Sequence, residues 1–129
     1  MKSMEVCNVP VCELGEGIFW HPERNSFCWF DILNSKFYEQ IDDQSTNIID
    51  CPGMASAAAR IDSNRILAAV DDGLHILDLV SRSWESYLEI ESDNSLTRGN
   101  DCRVHQSGSF WFGTMGHKAE PGAGSIYHI

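Results

Sequence analysis

Three segments of the chain share one plan at intervals of about 40 residues. The first runs over residues 17–20, turns at 21–25 and continues through 26–32. The second runs over 56–61, turns at 62–64 and continues through 65–70. The third runs over 101–104, turns at 105–108 and continues through 109–115. Each reads as a short strand, a polar turn and a strand rich in aromatic or β-branched residues. Phe27, Ile66 and Phe110 hold corresponding places, 39 and 44 residues apart.

The first two copies each add two more strand candidates. These are residues 36–41 and 46–50, joined by a turn at 42–45, then 74–79 and 84–88 after the hairpin signal Asp72-Gly73. The third copy breaks off in its third strand, at 124–129, and residues 6–12 read as one further strand. No segment sustains a 3.6-residue apolar period. Four antiparallel strands in about 40 residues make one blade of a β-propeller. The expected fold is therefore all-β, about two and a half blades forming the N-terminal part of a single propeller domain. Its parts would be a closing strand at about 5–12, blades at about 16–50 and 54–91, and a partial blade at about 98–129. A small β-sandwich built from the same strands stays open on strand pattern alone.

Apolar residues make up 43% of the chain, enough for a buried core. The net charge of −10 argues against nucleic acid or an anionic membrane as partner, since either would be repelled. It suits a protein that binds neutral solutes or cations. No signal-peptide pattern and no apolar run of membrane-spanning length is present, so a cytoplasmic location is expected. The five cysteines, Cys7, Cys12, Cys28, Cys51 and Cys102, are irregularly spaced without a Cys-x-x-Cys pair. They read as free thiols of a reducing compartment. A cysteine nucleophile or structural zinc would lack a local partner.

Glu16 and Asn100 lie 84 residues apart, two steps of about 42, and so fall at matching places in two copies of the repeat. A carboxylate and an amide oxygen converging on a propeller axis are hard donors for Ca²⁺, Mg²⁺ or Mn²⁺, and zinc also accepts such a set. Without a metal, Glu16 would be an exposed strand-end carboxylate and Asn100 a turn residue bonded to its own backbone. Arg98 carries a planar donor fork suited to hydroxyls and carboxylates of a ligand, or else is a surface arginine. Asp101 would brace Asn100 or serve the turn.

His21 and His105 sit in equivalent turns, about five residues and hence about 16 Å from the proposed metal, and are expected at the rim. His75 and His128 fall in outer strands as surface or packing residues. His117 and Lys118 follow a strand running back toward the metal end and could overhang the channel mouth, or lie in a solvated loop. No nucleophile-elbow pattern supports a Ser-His-Asp triad.

At residues 14–20, 30–32, 98–101 and 112–115, the last followed by 122–127, the chain resembles the gluconolactonase, regucalcin and luciferin-regenerating-enzyme family. The four blocks occur in family order across essentially the whole chain. The resemblance implies a six-bladed propeller with one divalent cation in its channel and, in many members, hydrolysis of sugar lactones. It makes Glu16 and Asn100 metal ligands, and makes Arg98, Asn100 and Lys118 substrate contacts. Two further ligands, an Asn and an Asp that also serves as base, would come from blades this chain does not contain. The implied chemistry is polarisation of the lactone carbonyl by the cation and attack by a water that the base deprotonates.

Six blades need roughly 250 residues, about twice this length. A half-ring would expose apolar blade faces. A longer polypeptide, a second chain or self-association would complete it, and the piece alone is expected to be inactive. The competing readings are a non-catalytic propeller module that binds calcium or a partner, and an assembly fragment.

Overall fold

The computed structural model describes residues 1–42 and 45–129, so the turn expected at 42–45 lies partly outside the described residues. Eleven strands and no helix are present among them. A first sheet joins β1 (Gly15–His21), β2 (Ser26–Asp31), β3 (Lys36–Asp42) and β4 (Ser45–Asp50) in that order. A second joins β5 (Ala57–Arg60), β6 (Arg65–Val70), β7 (Gly73–Asp78) and β8 (Ser83–Glu89). A third joins β9 (Thr97–Val104), β10 (Phe110–Gly116) and β11 (Ile126–His128). Every pairing is antiparallel between sequence neighbours, so each sheet is a simple meander. The described residues contain no helix long and apolar enough to cross a membrane.

The sheets stack face to face, and strand alternation assigns each side chain to one interface. On β6, Ile66, Ala68 and Val70 join Cys28, Phe30 and Phe37 of the first sheet, whereas Leu67 and Ala69 turn to Cys102, Phe110 and Phe112 of the third. The middle sheet is thus buried on both faces, which is why its strands read as continuous apolar runs. Fully buried Phe30, Phe37, Ile66, Leu74 and Leu77 each contribute about 1.5–3 kcal/mol. The innermost strands β1, β5 and β9 approach most closely, and β5 presents a run of alanines there. At Gly17 (φ 67°) an added Cβ would lie 2.3 Å from the Ser56 carbonyl oxygen.

The repeat places Phe27, Ile66 and Phe110 in register, opposite Trp20, Arg60 and Val104. Each faces the preceding sheet. Ile66 and Phe110 are covered there, but Phe27 is 49% exposed, since no sheet among the described residues covers that face. Trp20 meets Phe27 edge-on at 4.7 Å on this open face, and Trp111 lies open on the far face of the third sheet.

Residues 6–12 do not form the expected strand. A strand needs a neighbour to take its backbone hydrogen bonds, and among the described residues no strand lies beside this segment. It drapes over the open face instead, enclosing a cavity of about 540 Å³ with Ile18, Phe27 and Trp29. Buried Asp31 anchors its end, accepting hydrogen bonds from the Glu13 and Leu14 amides and from Asn34.

Buried Glu39 closes the seam at the opposite end of the first sheet. Its carboxylate accepts from Arg24, Ser26 and Asn47. Burial works to raise its pKa, but Arg24 and Ser26 outweigh burial and hold it below 4.5. A depressed folded value stabilises the protein above the unfolded pKa and is lost as pH falls through the folded one. The thermal midpoint is therefore expected to hold from pH 7 to about 5 and to drop below about pH 4.5, with a shallower drop in Glu39→Gln, as read by circular dichroism. Gly17→Ala is expected to cost about 2 kcal/mol or more in urea unfolding, through clash and strain together. Gly108→Ala, at φ 95° with nothing within 4 Å, should cost about 1 kcal/mol.

Candidate functional site

Glu16 on β1 and Asn100 on β9 stand at one level of the stack. Trp20 pairs with Phe27 as Val104 pairs with Phe110, and Gly15 pairs with Asp31 as Gly99 pairs with Thr114. The two strands are offset by 84 residues at both ends. Each holds one extra residue between those ends: Gly17 and Ile18 oppose Trp29, and Asn100 and Asp101 oppose Gly113. Such bulges bend a strand and re-aim its side chains.

Between these strands stands the start of β5. Gly17 closes on the Ser56 carbonyl from one side, and a Cβ on Gly99 would lie 2.7 Å from Ser56 Oγ on the other. Glycines next to Glu16 and Asn100 thus let both strands crowd the same residue. Ser56 Oγ is buried without a hydrogen-bond partner among the described residues. Neither Glu16 nor Asn100 commits its side-chain oxygens to an internal bond among those residues. A carboxylate and an amide oxygen without internal partners are donors of the kind a divalent cation takes. They do not complete a site: the described residues hold no cluster of three His, Cys, Asp or Glu side chains able to grip a metal.

Arg98 is 8% exposed, and its Nη1 donates to the Gly99 carbonyl oxygen at 2.8 Å. It has no carboxylate partner among the described residues. Its other guanidinium nitrogens are not among the buried polar atoms left without a partner, so they remain open to solvent or to a ligand. Lys118 is exposed in the β10–β11 loop, at the same end of the sheet as Thr97 and Gly116. Its amide donates to Glu120, and the His117 amide donates to the Leu96 carbonyl at 3.0 Å. Asp101 is exposed and makes no hydrogen bond to Asn100.

His21 departs from the rim position expected of it. It is wholly buried in the seam between the first two sheets, with Nε2 3.1 Å from the Asp62 carbonyl oxygen. The turn at 62–64 folds over it, which a count along one strand does not reveal. His105 is exposed and bonds Ser107. His75 is buried against Asp72 at 2.7 Å, and exposed His128 stacks on Trp111 at 4.4 Å. All five cysteines are free thiols. Burial pushes the Cys28 and Cys51 thiols up to about 12 and Cys102 to about 11, far from nucleophilic at neutral pH.

Two residues escaped the sequence reading. Ser56 begins the second copy but looks like any small strand residue. Glu91 lies in the polar link after β8, where nothing distinguishes it from Glu89 or Asp93. Its carboxylate accepts from Thr97, from Thr114 at 3.0 Å and from the Tyr127 hydroxyl at 2.8 Å. Burial works to raise its pKa, but these three hydroxyls outweigh burial and hold it below 4.5.

Residues 14–129 match the family described as "SMP-30/Gluconolactonase/LRE-like region". A Rhizobium meliloti (strain 1021) protein named "Putative sugar lactone lactonase" is 36% identical over 118 residues, 91% of this chain and 40% of its own length. Pentonolactonase XacC of Haloferax volcanii is 33% identical over 109 residues, 81% of this chain and 35% of its own length. The crystal structure of regucalcin, a calcium-binding protein from Agrobacterium tumefaciens str. C58, matches with a TM-score of 0.87 at 41% identity. That match covers 92% of this chain and 40% of that one. The chain thus spans 35–40% of the length of these relatives. With its three antiparallel sheets stacked as propeller blades and nearly all of its residues matched, the chain belongs to the SMP-30/gluconolactonase/LRE-like family.

Proposed function

We propose that this chain supplies one side of a metal-dependent site that opens sugar lactones. The observation that carries the reading is the matching register of two uncommitted oxygen donors, Glu16 and Asn100, with Arg98, whose guanidinium has no carboxylate partner among the described residues, on the same strand as Asn100. Glu16 brings a negative charge and Asn100 a neutral oxygen, a set suited to Ca²⁺, Mg²⁺, Mn²⁺ or Zn²⁺. The bound cation would supply Lewis-acid polarisation of the lactone carbonyl. Arg98 holds hydroxyl or carboxylate oxygens of the sugar acid, so that the ester carbon is presented in one orientation. Lys118, at the mouth, adds a second cationic contact for the same oxygens.

The remaining donors, and an Asp that takes the proton from the attacking water, come from further blades. The open apolar face at Trp20 and Phe27 supports this, because the corresponding faces of the next two sheets are covered. Those blades belong to a longer polypeptide in this reading; a second chain or a second copy are the other ways to supply them. The free cysteines suit a reducing, cytoplasmic compartment, and the net charge of −10 disfavours nucleic acid and anionic membranes as partners.

The test is hydrolysis of gluconolactone and pentonolactones by the complete polypeptide with added Ca²⁺, Mn²⁺ or Zn²⁺. Glu16→Gln and Asn100→Ala are each expected to lower kcat/KM about 100-fold and to weaken metal binding. Arg98→Lys should raise KM about tenfold, because an ammonium cannot reproduce the donor fork. Residues 1–129 alone should show no turnover. Normal turnover in Glu16→Gln would sink the assigned site. Calcium binding by the complete polypeptide without hydrolysis of any lactone would favour a non-catalytic module, the reading suggested by the calcium-binding regucalcin relative.

A further inference from the structure

Glu91 gathers one hydroxyl from each strand of the third sheet: Thr97 of β9, Thr114 of β10 and Tyr127 of β11. Its backbone takes φ 53°, a left-handed conformation that costs a non-glycine residue about 1 kcal/mol or more. The carboxylate is brought to this place against that strain. An ionised carboxylate only accepts, and the three hydroxyls donate to it, so the junction has one polarity throughout.

Two of the three arms end beside the candidate site. Thr97 directly precedes Arg98, and Thr114 pairs across the ladder with Gly99, the residue between Arg98 and Asn100. Once donating to Glu91, the Thr114 hydroxyl is also oriented to accept from the Ser125 amide at 2.8 Å. That bond ties down the far end of the loop that carries Lys118, while the His117 amide ties the near end to Leu96. Among the described residues the Arg98 side chain is hydrogen-bonded to its own neighbour's carbonyl alone, so its direction follows the backbone of β9.

We propose that Glu91 is a positioning residue for the substrate side of the site. It sets the pose of Arg98 and Asn100, and of the loop bearing Lys118, through Thr97 and Thr114 and without touching the substrate. The assignment rests on the lactonase reading above for what is positioned, but not for the positioning itself.

Two measurements on the complete polypeptide test it. In Glu91→Gln the amide group faces a hydroxyl donor with a donor of its own. KM for the lactone is expected to rise about tenfold with kcat changed less than about threefold. Thr114→Val should behave alike, and Thr114→Ser, which restores the hydroxyl, should return KM to the parent value. The second measurement does not need turnover: the Arg98 Nε–H and Asn100 side-chain amide NMR signals should shift in Glu91→Gln, while the Gly17 amide on the first sheet stays in place. Unmoved Arg98 and Asn100 signals, or a lowered melting temperature with KM and kcat unchanged, would overturn the proposal. Shifted signals in a parent that hydrolyses no lactone would uphold the positioning role and refute the lactonase reading instead. Should Glu91→Gln fail to fold, the Thr114→Val and Thr114→Ser pair decides by the same two readouts.

Discussion

Face-to-face packing of the sheets is the constraint on which the remaining structure depends. A meander of four strands has two faces, and neither can stay wet if both are apolar. The middle sheet solves this by sharing its residues alternately, Ile66, Ala68 and Val70 to one neighbour and Leu67 and Ala69 to the other. Residue size then decides how closely the sheets converge. Alanines on β5 and glycines at positions 17 and 99 let the inner strands crowd together, and the matching register of β1 and β9 sets Glu16 and Asn100 at one level.

Carboxylates organise what apolar packing leaves loose. Asp31 gathers the incoming segment, Glu39 closes the seam at the far end, and Glu91 ties the third sheet together. In each case burial is opposed by several donors, so the charge is retained where a lone buried carboxyl would be neutralised. Glu16 is the contrast: an exposed carboxylate with no internal donor among the described residues.

Much of this was legible in the chain itself. The 84-residue interval between Glu16 and Asn100 survives as a true structural offset, because each strand carries one bulge and the extra residues cancel. Phe27, Ile66 and Phe110 fall in register for a related reason, since aromatic and branched residues open the second strand of each repeat. What misled was anything that needed a neighbour. Residues 6–12 have strand-forming composition but no edge to pair with among the described residues. His21 has the spacing of a rim residue and is buried by a turn of the next sheet. Glu91 is one acid among several in a polar link, marked out only by the three hydroxyls that meet it.

The sequence by itself determined the all-strand character, the length of the repeat and the two oxygen donors in phase with it. Those properties are local and periodic, written in alternation, turn residues and spacing. The tertiary structure alone decided which faces are covered, that His21 is buried, that Ser56 stands between Gly17 and Gly99, and that Arg98 is buried without a carboxylate partner among the described residues. These depend on contacts between residues about 40 positions or more apart, and no local pattern encodes how closely two strands approach when only a glycine stands between them.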